Sequence, residues 1–184
     1  MSESSGGGRE LRGMGFPSFV DSQGIPVPSG GILRDSGGAG LIGFISSSLV
    51  YMLINLTLDR SVFFTATVLG DDLVGSRISQ AFPLGAPLAY YAFHLVVMLG
   101  IGSLMAWAVH ARARLRLWAL AFVGAIPALV VSEGLLLILA HPVSSIHPWW
   151  SVVTANLVAG LAMASHLLYR LLLQDLAEFA QRMS

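Results

Sequence analysis

Cysteine and lysine are both absent from this chain of 184 residues, and charge of either sign is scarce. Without cysteine the chain can form no disulfide, and it can hold neither a thiolate zinc site, an iron–sulfur cluster nor a covalently attached c-type haem. Charged residues make up 11% of the sequence, whereas a soluble domain has about 25%. Because ten basic residues balance ten acidic ones, there is no basic surplus for binding nucleic acid.

Catalytic motifs are scarce as well. The sequence has no H-E-x-x-H zinc motif, no G-x-S-x-G nucleophile elbow and no Walker A loop. We identify no metal site and predict that the protein is not an enzyme.

Apolar residues dominate instead, at 55% of the chain with a mean hydropathy of +0.75. They form four long runs, at about 39–58, 86–110, 115–140 and 149–173. A helix needs about 20 such residues to cross the ~30 Å hydrocarbon core of a bilayer. The sequence therefore predicts an all-α integral membrane protein, a four-helix transmembrane bundle over 39–173. Val74, Ile78 and Phe82 recur at helical spacing and predict a short surface helix in the outer loop, 59–85.

Arginine placement predicts the orientation. The N-terminal segment, the turn between the second and third runs, and the end of the chain hold eight of the ten arginines, and loop 59–85 holds two. The positive-inside rule then places both termini in the cytoplasm, including the C-terminal end, 174–184. Using arginine alone for basic residues is typical of a GC-rich genome, and we expect a bacterial inner membrane.

Residues 1–38 are rich in glycine, serine and proline, which predicts an extended cytoplasmic tail. Such a segment cannot bury enough apolar surface to offset the entropy lost on ordering. We therefore expect a partner to hold it, with Phe16, Phe19 and Ile25 as anchors.

Glu133 is an acidic residue inside the third apolar run. A charge at the bilayer centre costs roughly 2.5–3.5 kcal/mol on insertion scales, so another group should satisfy it. Counting the helical rise from the helix ends puts Glu133 about 12 Å below the outer boundary, with His94, Asn156 and Tyr51 at a similar depth. We predict that these four residues, on four helices, form one polar layer. On the first helix, the layer belongs to a stripe at i+4 spacing: Gly43, Ser47, Tyr51 and Asn55.

Three interpretations of this layer stay open. It can be a structural network that fixes helix register, a pocket for a quinone, lipid or pigment, or part of an ion route. The ion route is disfavoured by the absence of a second acid in the inner half of the four runs, since a relay needs titratable groups at both depths.

Haem b needs an axial ligand, often two histidines at one depth. His110 and His166 share the inner side and are the candidate pair. His94 and His110 are sixteen residues apart, about 160° around a helix, so we expect that they cannot both face inward.

These features favour a non-catalytic integral membrane subunit of a larger complex, such as a respiratory or photosynthetic one, that acts in assembly, packing or shielding of the core. Its partners would be other membrane subunits and lipid. The alternatives are a haem- or quinone-binding membrane anchor and a small oligomeric transporter that uses Glu133.

Overall fold

The structure is a computed structural model that describes residues 29–75, 77, 81–111, 117–131 and 146–183. Within these ranges the chain forms helices and their connections and has no strand, which confirms the all-α prediction for this part. The helices are α1 (Ser29–Thr57), α2 (Phe64–Val74), α3 (Gly85–Ala111), α4 (Leu117–Val130) and α5 (Trp149–Met183).

Three of these helices are long and apolar enough to cross a membrane, over Gly31–Thr57, Gly85–His110 and Trp149–Met183. The third predicted run, 115–140, is represented by a shorter apolar stretch, Ala119–Val130. Large apolar side chains point outward from all of them, among them Leu53, Val96 and Val130. Such a surface is suited to a bilayer, because water would penalise every one of these exposed side chains.

The first helix begins at Ser29, not at residue 39. Of the glycines that suggested an extended tail, Gly38 lies at a close helix contact, as does the neighbouring Gly40, while a Cβ on Gly31 or Gly37 would meet nothing within 4 Å. A Cβ on Gly38 would lie 2.6 Å from Nε2 of His166, and a Cβ on Gly40 would lie 2.6 Å from the Cα of Leu99. Small residues allow helices to approach this closely inside a membrane, so the composition of a flexible segment here belongs to a packed helix.

The other boundaries differ more locally. Helix α5 continues to Met183 and does not end near 173. A short helix in loop 59–85 occupies Phe64–Val74, and of the stretch that the Val74–Phe82 pattern predicted, the described residues 77 and 81 are also helical. Helix α2 ends at Gly75, whose φ of 84° is a conformation that suits glycine.

Helix α1 packs against α3 and α5, while α4 packs mainly on α5. We call the end of the bundle where α1 begins the inner end, and the end where α1 stops the outer end. The core has two parts: an inner one built around Met105, Leu120 and Met163, and an outer one built around Tyr51, Leu69 and Tyr90.

Candidate functional site

Buried polar side chains lie along a single ridge of α1. The i+4 stripe runs from the inner end to the outer end, and all its members are buried: Asp35, Ala39, Gly43, Ser47, Tyr51 and Asn55. Asp35, Ser47 and Asn55 each begin a polar cluster, which we call the inner, middle and outer cluster. This ridge joins α1 to every other described helix except α4.

The inner cluster is built around the carboxylate of Asp35, whose residue is 2% exposed. Nε of Arg170 on α5 donates a hydrogen bond to Oδ1 at 3.2 Å. Nε2 of His110 on α3 lies 3.3 Å from Oδ2. One carboxylate therefore connects three helices, and its charge is balanced by a guanidinium, as a buried charge requires. His166, one turn before Arg170, packs its ring against Gly38 of α1.

The middle cluster fixes the ring of His94. Oγ of Ser47 lies 2.8 Å from Nε2 of His94 and 2.8 Å from the carbonyl oxygen of Gly43. A hydroxyl has one proton, so when Ser47 donates to Gly43, His94 must donate through Nε2. The ring of Tyr90 stacks on His94 with centroids 5.5 Å apart, and Phe44 lies at 5.6 Å. His94 is thus held by one hydrogen bond and two aromatic rings.

The outer cluster joins α1 and α2 to the connection that precedes α5. Oγ1 of Thr65 on α2 donates to Oδ1 of Asn55 at 3.1 Å and lies 2.6 Å from Nε2 of His147. Since Thr65 gives its one proton to Asn55, His147 donates through Nε2. Arg60 supports the same junction, because its Nη1 donates to the carbonyl oxygen of Ile146 at 2.6 Å.

His147 is 3% exposed and lies before the first residue of α5. Burial, together with the nearby charge of Arg60, lowers its pKa to about 4. The ring is therefore neutral at physiological pH, with its one proton on the Nε2 that donates to Thr65.

Two spaces adjoin these clusters. A cavity of about 10 Å³ lies between α1, α2 and α3, and its polar lining includes Ser48, Tyr51, Asn55 and Thr65. Among the described residues nothing hydrogen-bonds to Oγ of Ser48. The cavity has room for about one water molecule, far less than a quinone needs. A second space, a groove of about 300 Å³, lies between α2 and α3 and is lined mainly by apolar side chains such as Phe63 and Leu88.

The described members of the predicted polar layer contact residues outside that layer. His94 contacts Ser47, and Tyr51 packs on His147 with ring centroids 5.4 Å apart. Asn156 is buried, but its Nδ2 donates to the carbonyl oxygen of Val152 on the same helix. Glu133 lies outside the described residues, as do the predicted tail anchors Phe16, Phe19 and Ile25. The bond from Glu133 to this layer stays a prediction.

Asp35 is the site residue that the sequence analysis missed. The expectation that the inner half of the bundle holds no second acid was wrong, since Asp35 lies buried there. The error came from assigning residue 35 to the tail. The i+4 stripe held the signal: extended back from Gly43 through Ala39, it leads to Asp35.

The two histidines of α3 also differ from expectation. His94 and His110 both contact α1, through Ser47 and Asp35, so the expectation that only one could face inward was wrong. The i+4 ridge of α1 itself turns about 40° per step around its helix, so α1 presents contacts to α3 along a winding line. His110 and His166, the predicted haem pair, reach neighbouring positions on α1, Asp35 and Gly38.

The spacing G-x-G-x-x-G occurs once near the start of α1, at Gly38, Gly40 and Gly43. A dinucleotide fingerprint needs a strand before these glycines and a helix that starts at them. Here all three lie inside α1, where they contact His166, Leu99 and Met163. They serve helix packing.

Among the described residues, no group of three or more histidine, aspartate or glutamate side chains is arranged to hold a metal ion. In comparisons with known proteins, no family model, no curated protein and no solved structure matches the chain.

Proposed function

We propose that this protein is a non-catalytic integral membrane subunit of a larger membrane assembly, acting in packing, assembly or shielding of its core. The observation that carries the proposal is the use made of the buried polar groups. The inner, middle and outer clusters each tie α1 to a neighbouring helix or connection through hydrogen bonds. Groups committed in this way stabilise helix arrangement and are poorly suited to turnover.

The dimensions of the spaces support the same proposal. The polar cavity holds about one water molecule, while the larger groove is lined mainly by carbon. A catalytic or cofactor site combines an enclosed pocket of about 300–1,000 Å³ with a few convergent polar groups. Asn55 and Thr65 of the outer cluster line the small cavity and not the groove, although Tyr91 lines both.

We further infer four membrane crossings in a bacterial inner membrane, with both termini in the cytoplasm. Asp35 joins the start of α1 to His110, near the end of α3, so both lie at the inner end. His147 precedes α5 and bonds Thr65 at the outer end. The chain between His110 and His147 must therefore return across the bundle, and α4 is the described part of that crossing. The arginine distribution favours the cytoplasm as the inner side.

Purification from native membranes tests the subunit proposal. The full chain, tagged at its N-terminus, is extracted in a mild detergent, and the proteins that elute with it are identified and quantified. We expect a fixed stoichiometry with one or more other membrane proteins, since the apolar surface and the tail would both be partly covered by them. A tagged, unrelated four-helix protein extracted in parallel defines the background. A preparation that contains this chain alone, in a monodisperse form, contradicts the proposal.

A small transporter is the second candidate, and Asp35 is the observation that favours it. A proton or cation route needs titratable groups at both depths of the membrane, and Asp35 with His110 places such groups at the inner end. Measurement of proton or cation flux into vesicles that contain the purified protein tests this candidate. Flux that persists unchanged when Asp35 becomes Asn and Glu133 becomes Gln excludes this candidate.

A further inference from the structure

Helix α5 is longer than a bilayer is thick. It runs without interruption from Trp149 to Met183, 35 residues. Twenty residues of helix span about 30 Å, so a crossing that begins at Trp149 and Trp150 ends near Tyr169 and Arg170. The pairing of Arg170 with Asp35 at the inner end agrees with that boundary. The rest of α5 then extends about 20 Å beyond the membrane.

This extension carries an apolar stripe on its surface. The side chains of Tyr169, Leu172, Leu176, Phe179 and Met183 are 55% to 76% exposed. Exposure of this kind is ordinary toward lipid, but beyond the membrane boundary it leaves large apolar groups in water. Something must cover Leu176, Phe179 and Met183 in the working protein.

The spacing of the stripe indicates what covers it. The intervals between these five residues are three, four, three and four positions, so they alternate as the a and d residues of a heptad repeat. Such a repeat is the seam of a coiled coil, in which a partner helix packs against the a and d side chains. Within the membrane only the d positions of this register stay exposed, at Ser165 and Val158, while the a position Ala155 is buried in the bundle, so the seam lies mainly in the extension.

We propose that the stripe is the dimerisation seam of this protein and that α5 of a second copy covers it in a parallel coiled coil. Two copies inserted in one membrane have the same orientation, so their α5 helices are parallel and emerge at the same height. Each a or d residue then meets its own counterpart, as a symmetric seam requires. The flanking residues permit this pairing, because the g residue Asp175 faces the e residue Ala180 of the other copy and no like charges meet.

The absence of cysteine makes this proposal easy to test, since any introduced thiol is the only one in the chain. Single substitutions Leu176→Cys and Phe179→Cys are placed in the seam, and Ala177→Cys is the matched control one position outside it. All three positions are exposed, so accessibility does not separate them. Native membranes that hold each variant of the full chain are treated with a mild oxidant, and the products are separated without reductant.

We expect Leu176→Cys and Phe179→Cys to yield a covalent product of twice the 19.5 kDa chain mass, and Ala177→Cys to yield little of it. Co-expression of two differently tagged copies should give a product that carries both tags. Equal cross-linking at all three positions overturns the proposal. The absence of cross-linking at all three overturns it too, and this is the result expected if the N-terminal tail covers the seam. Cross-linking to a different protein overturns it as well.

The inference does not depend on the subunit proposal. A homodimer that purifies with no other protein supports the seam and contradicts the subunit function. A larger complex that contains one copy of the chain supports the subunit function and contradicts the seam.

Discussion

At the scale of single residues, the ion pair between Asp35 and Arg170 has two members that differ in their access to water. The side chain of Asp35 is 3% exposed, whereas that of Arg170 is 23% exposed. If the carboxylate is lost, the guanidinium can turn toward water with its long stem. If the guanidinium is lost, the carboxylate stays buried, and His110 is the partner that remains to it among the described residues. Removing one member of a buried ion pair, so that the other charge stays buried and unpaired, costs about 3–5 kcal/mol.

We therefore predict that Arg170→Gln destabilises the protein by about 3 kcal/mol and that Asp35→Asn costs less, about 1 kcal/mol. The double variant should recover most of the loss caused by Arg170→Gln, since no buried charge is left unpaired. Unfolding in detergent, followed by circular dichroism, measures all three. Arg34→Gln is the control, because Arg34 is exposed and adjacent to Asp35. A larger loss for Asp35→Asn than for Arg170→Gln would show that the pair does not act in this way.

How far the residues of the site could be predicted from the sequence depends on their distance along the chain. The buried stripe of α1 was found from local spacing, because i+4 neighbours share a face whatever the fold. The bond between Thr65 and His147 joins positions 82 residues apart. No local pattern contains that information, since it depends on how two connections meet at the outer end. Asn156 shows the converse: it was predicted to join a layer shared by four helices, but its Nδ2 donates to the carbonyl oxygen of Val152 in its own helix.

At the scale of helices, the contact between α1 and α3 depends on glycine in both. A Cβ on Gly102 would lie 2.5 Å from the backbone nitrogen of Gly40 and 2.8 Å from the carbonyl oxygen of Ser36. These are backbone atoms, so no side chain can turn aside to make room. A Cβ on Gly100, two residues away on the same helix, meets nothing within 4 Å. The two positions are a matched pair that differ in contact alone.

We predict that Gly102→Ala separates α1 from α3 and destabilises the protein by about 1–3 kcal/mol, the usual cost of overpacking. Gly100→Ala should be neutral or slightly stabilising, because alanine is the better helix former by about 1 kcal/mol. Thermal unfolding of both variants in the same detergent measures the difference. Similar midpoints for the two would mean that the helices are not packed this closely at Gly102.

The same glycines explain why the helix boundaries were harder to predict than the helices themselves. Long apolar runs identified α1, α3 and α5, because crossing a bilayer demands a minimum length. Glycine and serine lower helix propensity and are also the residues that allow close helix contact. Gly37 and Gly38 therefore gave a signal for a tail, although both lie in α1 and Gly38 packs against His166 of α5. Composition alone cannot separate these two uses.

At the scale of the whole molecule, the polar clusters determine which helix ends meet. The inner cluster gathers the start of α1 with parts of α3 and α5 near their inner ends, through Asp35, His110 and Arg170. The outer cluster gathers the end of α1 with α2 and the start of α5, through Asn55, Thr65 and His147. The proposed topology, with an even number of crossings and both termini on the side of the inner cluster, is compatible with two clusters at opposite ends of the bundle.

Labelling of single thiols from one side of the membrane tests this arrangement. Ser61→Cys places a thiol in the exposed connection at the outer end, and Ala177→Cys places one in the exposed part of α5 beyond the inner end. In intact cells with a permeabilised outer envelope, we expect an impermeant maleimide to label Ser61→Cys, and to label Ala177→Cys only after the inner membrane is opened, because a charged reagent cannot cross hydrocarbon. Labelling of the reverse pattern would place both termini outside. The proposed topology has an odd number of crossings between these two positions. Labelling of both from the same side would contradict it, and would also contradict the assignment of the two clusters to opposite faces of the membrane.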